Sequence, residues 1–180
     1  MKKSILISIV LVISFFIAVP VAQAQINRKI FGLEIGKSTE YQTKRMLKNK
    51  GYKYDIMPDG SYAVSLNNVQ YGGGYWTYVD FSFCQGVLYE IYFQNNIVEA
   101  PMNIDKMYDL LSNSLNNKYK QYKESSSAYS SEIEKSEYFF DRKTVVNLTL
   151  FTPGYKKHIS LRYTDFSLYN KKQQLIDSEL

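Results

Sequence analysis

Tyr75-Trp76-Thr77-Tyr78-Val79-Asp80-Phe81-Ser82-Phe83-Cys84-Gln85-Gly86-Val87-Leu88-Tyr89-Glu90-Ile91-Tyr92-Phe93-Gln94 reads as two alternating strands about a turn. Successive side chains of a strand point to opposite faces. Val79, Phe81 and Phe83 therefore share one face of the first arm, with Asp80, Ser82 and Cys84 on the other. On the second arm Tyr89, Ile91 and Phe93 alternate with Glu90, Tyr92 and Gln94. Matching the apolar faces pairs Phe83 with Tyr89 and Phe81 with Ile91. That leaves a loop with an odd number of residues, in which Gly86 supplies left-handed geometry.

Working outward, the same alternation returns in Val146-Asn147-Leu148-Thr149-Leu150 and in Lys157-His158-Ile159-Ser160-Leu161. A capped helix is expected ahead of each hairpin. In the first, Ser38 caps and Glu40 sits in the first turn, where negative charge suits the helix dipole. That helix runs to Asn49 with Tyr41, Met46 and Leu47 on its apolar face, and Gly51 ends it. Strands over Tyr52–Ile56 and Tyr62–Leu66 flank a tight turn at Pro58-Asp59-Gly60. In the second, Asn103 caps a helix to Tyr119, with Met107, Leu110, Leu111 and Leu115 at helical spacing. Lys123 to Ser136, rich in Ser and Glu, reads as a mobile loop, and strands follow at Glu137–Asp141, Val145–Phe151 and Ile159–Tyr163. The tail from Leu168 to Ile176 is open between a short helix and a last strand. The expected fold is α+β in two tandem units, residues 25–97 and 98–180, each a helix followed by an antiparallel β-meander.

The run Phe31-Gly32-Leu33-Glu34-Ile35-Gly36-Lys37-Ser38-Thr39-Glu40, then a helix ending in Lys50-Gly51-Tyr52 and a strand meander, resembles two families of small exported binding modules. These are the β-lactamase-inhibitory-protein-like family, with two such units in tandem, and the SmpA/OmlA-type outer-membrane assembly family. The resemblance implies protein binding without catalysis. The chain departs from the SmpA/OmlA type in lacking a lipid-bearing cysteine.

The first residues point the same way. Lys2 and Lys3 precede an apolar run from Ile5 to Val19, Pro20 stops the helix, and Ala22-Gln23-Ala24 is the small-x-small pattern a signal peptidase reads. The run is short for a membrane span, which needs about 20 residues. Residues 1–24 are thus expected to be a signal peptide cleaved after Ala24, giving a periplasmic or secreted protein without a stable membrane anchor. The formal charge of +5 includes Lys2 and Lys3, so the chain from Gln25 carries +3. Its cations are interspersed with Asp and Glu rather than gathered in a stripe, which argues against nucleic-acid binding. A single cysteine, Cys84, can form no internal disulfide.

Catalytic patterns are sparse. Gly36-Lys37-Ser38-Thr39 has three residues between Gly32 and Gly36, where a phosphate loop needs four, so it reads as a helix start. With His158 as the sole histidine, paired-histidine metal sites are excluded, and no metal or cofactor is expected. A Cys84–His158 nucleophile pair and an Asp80–Glu90 carboxylate dyad are the enzymatic candidates. For Asp80 and Glu90, plain solvation on a wet sheet face explains the spacing better. The most distinctive segment is Tyr71-Gly72-Gly73-Gly74-Tyr75-Trp76-Thr77-Tyr78. Tyr71, Tyr75, Trp76 and Tyr78 are the candidate partner-binding residues, presented on a glycine-rich loop, since Trp and Tyr are enriched at binding hot spots. The opposing reading has Trp76 plugging the core beneath a glycine-bent strand. The expected function is therefore non-enzymatic recognition of another envelope or extracellular macromolecule, a protein in the first instance, through the sheet face or the aromatic loop. Binding of a glycan or small ligand between sheet and helix, with Trp76 and nearby tyrosines stacking on it, is the alternative.

Overall fold

The computed structural model describes residues 25–96, 103–124, 131–154 and 156–178. The expected signal peptide lies outside the described residues. The fold is α+β, with three helices among the described residues and a large antiparallel sheet, and most of its ordered chain is strand.

A short ribbon, β1 (Lys29–Ile30) and β2 (Leu33–Glu34), leads into α1 (Glu40–Asn49). The cap is Thr39, one residue later than expected. Its hydroxyl accepts from the Gln42 amide while the Gln42 side chain accepts from the Thr39 amide, a reciprocal capping box. Ser38 instead accepts from the Glu34 amide at 2.9 Å. Leu47 is fully buried, but Tyr41 is 73 % exposed, because the buried stripe runs through Thr43 and Leu47.

The eight-stranded sheet follows the order β3-β4-β5-β6-β10-β9-β8-β7. Its first half is β3 (Asp55–Ile56), β4 (Tyr62–Tyr71), β5 (Gly74–Cys84) and β6 (Val87–Asn96). After α2 (Ile104–Tyr119) come β7 (Lys123–Glu124), β8 (Ile133–Phe140), β9 (Thr144–Phe151) and β10 (His158–Asp165). Asn103 caps α2 as expected, and Met107, Leu111 and Leu115 are buried with Tyr108 and Tyr119. Leu110 is 58 % exposed, on the far side of the helix. The Lys123–Ser136 stretch is a loop only in part, since Lys123–Glu124 pairs with Tyr138 and Phe139, and Ile133–Ser136 is strand; residues 125–130 lie outside the described residues. The tail is a helix, α3 (Phe166–Ser178).

The hairpin of β5 and β6 carries two refinements. Phe81 does pair with Ile91, but the register shifts between Ser82 and Phe83, and Phe83 meets Leu88 rather than Tyr89. Gln85-Gly86 is then a two-residue turn between Cys84 and Val87, both with positive φ, as a type I′ turn demands. The bulge supplies the odd residue that apolar matching required of the loop.

One face of the sheet packs on α2 and the N-terminal segment around Trp76, Phe81, Ile91, Phe93, Leu148 and Leu161. Among the described residues the opposite face is covered at one end, by α3: Tyr169 lies 6.4 Å from Tyr89, and Phe166 lies 5.0 Å from Phe140. No described helix is long and apolar enough to cross a membrane.

Candidate functional site

The glycine segment is a tight hairpin turn. Gly72 and Gly73 join Tyr71 to Gly74 with φ of +64° and +87°, a conformation L side chains rarely adopt, so the three glycines do not form an extended loop. The four aromatic candidates divide between the faces of the sheet. Trp76 is 0 % exposed, donates its indole N–H to the Tyr71 carbonyl at 3.0 Å, and packs 5.3 Å from Phe93. Tyr71 stacks on the same Phe93 ring at 4.8 Å. Gly74 shares that inner side, since a side chain there would press on Met107 Cε at 2.5 Å. Tyr78 is half-buried on the opposite face, where alternation also puts Tyr75. Trp76 and Val79, three residues apart, both face inward because the register between β4 and β5 slips between the Ser65–Tyr78 and Val69–Trp76 pairs.

That opposite face presents Tyr78, Tyr92, Tyr138, Asn147 and Arg162 over the centre of the sheet. Between these long side chains lie short buried ones, Ser82, Thr149, Ser160 and Thr164. Tyr92 and Arg162 sit directly opposite each other on β6 and β10, with the guanidinium carbon 4.9 Å from the ring centre. Sequence reading missed Arg162 and Asn147. The signal was available in the alternation of Leu161-Arg162-Tyr163 and of Val146-Asn147-Leu148, in which each polar residue must point away from the core.

Asp80 and Glu90 do share this face, but they are not simply solvated. Burial pushes both carboxyls above their usual values. Thr164 donates to Glu90 Oε2 at 2.9 Å, and Arg162 Nε lies 3.8 Å from the same oxygen. Ser82 donates to Asp80 Oδ2 at 2.9 Å, while the buried Oδ1 completes no hydrogen bond. Asp80 faces Tyr92, and Ser82 faces Glu90, so the carboxylates are diagonal neighbours.

Cys84 and His158 are not brought together. Cys84 pairs with Val87 at one end of β6, and His158 pairs with Asn96 at the other. Nine residues of strand at about 3.3 Å each separate them by about 30 Å. Cys84 is buried, and His158 stacks on Phe151 at 4.7 Å, where burial lowers the affinity of its ring for a proton. Lys37 pairs with Glu34 at 2.7 Å. Among the described residues no group of three or more His, Cys, Asp or Glu could hold a metal ion.

A cavity of about 260 Å³ opens on the other side of the sheet, between α2, the β4 and β10 strands and the N-terminal segment. Tyr71 and Tyr163 contribute its phenols, their rings 6.0 Å apart and edge to face. Tyr119 Oη accepts from the Asn27 amide at 3.2 Å, joining the N-terminal segment to α2 beside it. Burial pushes the Tyr163 phenol far above its usual value and the Tyr71 phenol up as well. Leu111, Leu115 and Leu161 give apolar wall, with Lys29 and Lys118 at the edge.

Comparison of the chain with protein-family models, with curated proteins and with solved structures found no match.

Proposed function

We propose that this chain is an exported, non-enzymatic binding protein that recognises another macromolecule of the cell envelope or exterior with the open face of its sheet. The observation that carries the reading is the tiling of that face. Half-buried Tyr78, Tyr92 and Tyr138 and exposed Arg162 stand over buried short polar residues, with no helix across the centre among the described residues. Tyr and Arg supply large contact area together with hydrogen bonding, the composition of interface hot spots. Half-burial on the sheet also holds the tyrosine side chains in place, so few rotamers are left to order on binding.

Two tandem units, residues 25–97 and 98–180, form part of the same reading. Outward from the seam between β6 and β10, the strands run β5-β4-β3 on one side and β9-β8-β7 on the other. Phe81 faces Ile91 as Leu148 faces Leu161, and the seam ladder centres on Phe93–Leu161, with the Tyr92–Arg162 pair next to it. Such a layout supports the resemblance to β-lactamase-inhibitory-protein-like modules, and in this reading the seam runs through the middle of the interface.

The test is recovery of bound protein from envelope extract by the wild type and by a Tyr92→Ala/Arg162→Ala variant with unchanged circular dichroism. A partner whose recovery falls at least about tenfold with the variant, and which protects β6 and β10 from hydrogen exchange, supports the reading. Equal recovery of every partner removes the open face from it.

A further inference from the structure

We infer that the cavity between α2 and the inner face of the sheet is a binding site for a small organic monoanion, its carboxylate held at the mouth by Lys29 and Lys118 and its apolar body against Leu111, Leu115 and Leu161. This inference is independent of the open-face reading, because the two surfaces lie on opposite sides of the sheet.

Three features carry it. The first is that the space exists. Protein interiors close-pack and leave few voids larger than a water, yet here about 260 Å³ remains between a well-packed helix and the core. Gly72 helps to keep it, since a side chain at that position would crowd Leu111 Cδ2 at 3.2 Å. The volume falls just below the roughly 300–1,000 Å³ of drug-sized sites, which suits a single ring or a short chain.

The second is charge. Lys29 and Lys118, at the cavity, make no ion pair among the described residues. Among the described residues no Asp or Glu lines the cavity. Lys29 stands opposite Glu34 across the β1–β2 ribbon, while Lys118 and the rest of the lining have no such neighbour among the described residues, and the excess of positive charge beside a partly enclosed hollow favours an anion and disfavours a cation.

The third is the character of the hydroxyl groups. Tyr71 and Tyr163 are neutral phenols at ordinary pH, and burial pushes both further from ionisation. Tyr119 Oη already accepts from Asn27, which leaves its own proton to be donated. The Tyr163 hydroxyl is engaged by Tyr71, so Tyr71 and Tyr119 are the O–H donors offered to a carboxylate, and the leucines offer surface to the rest of the molecule.

The experiment titrates the protein with benzoate and hexanoate, and with benzyl alcohol as a neutral counterpart, followed by amide chemical shifts and calorimetry. We expect saturable binding of at least one carboxylate, with shifts clustered at residues 71–72, 111–119 and 161–163, and benzyl alcohol weaker by about tenfold or more. Lys29→Ala/Lys118→Ala should lower carboxylate affinity by about tenfold, leave benzyl alcohol unaffected and leave the melting temperature nearly unchanged. Ser114→Phe, which fills the cavity from α2, should remove binding of all three. Tyr92→Ala/Arg162→Ala, on the other face, should bind like the wild type. The inference is overturned if no probe gives saturable shifts at those residues, if the neutral alcohol binds as well as the acids, or if the double lysine variant keeps full affinity. Should Ser114→Phe fail to fold, the lysine variant and the alcohol comparison decide alone.

Discussion

Tyr92 and Arg162 meet across the seam of the sheet, each the direct partner of the other on β6 and β10, with the guanidinium carbon 4.9 Å from the centre of the phenol ring. The same guanidinium faces Glu90 at 3.8 Å. One exposed cation thus bridges an aromatic ring and a buried carboxylate at the join of the two halves of the sheet. A cation over an aromatic face at an accessible site is worth about 0.5–1 kcal/mol. The Arg162 side chain is 46 % exposed, so solvent screens it and the lower end applies. We predict that a double-mutant cycle of Tyr92→Leu and Arg162→Met, read by urea unfolding, gives a coupling energy near about 0.5 kcal/mol. Additive single effects would show that the pair is only a neighbourhood.

Asp80 yields a pH-dependent prediction. Burial raises its carboxyl above the reference of 3.8, and the contributions of Ser82 and Ser61 do not outweigh that. A folded-state value above the unfolded one means that the native protein holds its proton longer as pH rises. Stability from this group is therefore full below the unfolded value and falls as pH climbs through the raised folded value. Asp80→Asn removes the buried charge and keeps an oxygen for the Ser82 hydroxyl. It should stabilise the protein by about 1 kcal/mol at about pH 7, with the gain gone by about pH 3. Glu90→Gln should gain less, since Thr164 and Arg162 already support that carboxylate. A pH-independent effect of Asp80→Asn in urea titrations would refute the assignment.

Much of this arrangement was legible in the residues, and what escaped has local causes. Alternation in Val79–Phe83 and Tyr89–Phe93 gave the strands and the Phe81–Ile91 pairing. It could not reveal the bulge after Ser82, because a bulge alters register without altering composition. The same holds at Trp76. Strict alternation from Val79 would turn its ring to the open face, and the slip between β4 and β5 turns it inward against Phe93. Glycine content marked residues 72–74 as special, but the choice between a recognition loop and a type I′ turn depended on whether Tyr71 would pair with Gly74. The cavity was beyond reach for a different reason. Asn27, Tyr71, Leu115 and Tyr163 are far apart in the chain, and only the packing of α2 on β4 and β10 assembles them.

The chain is tied end to end by one buried cluster, and it gives the last prediction. Arg28 donates Nε and Nη2 to the Ile35 carbonyl at 2.9 and 2.7 Å and forms an ion pair with Asp165 Oδ2. Asp165 Oδ1 accepts from the Leu168 amide at 2.8 Å, as the cap of α3. Gly36 lies against both partners at a φ of +84°, so any side chain there would collide with the guanidinium and the carboxylate together. Gly36→Ala should therefore cost about 3 kcal/mol or more, well beyond an ordinary turn glycine. Asp165→Asn keeps the capping oxygen and loses the ion pair, whereas Asp165→Ala loses both. Because α3 has no buried residue of its own, its order depends heavily on this cap. Both variants should lower stability by about 2 kcal/mol, because Arg28 keeps the Ile35 carbonyl but loses its counter-charge. Asp165→Ala should cost about 1 kcal/mol more through the lost cap. Only Asp165→Ala should also speed hydrogen exchange through the first turn of α3. Equal exchange in the two variants would mean that α3 is held by Phe166 and Tyr169 against Phe140 and Tyr89 instead of by its cap.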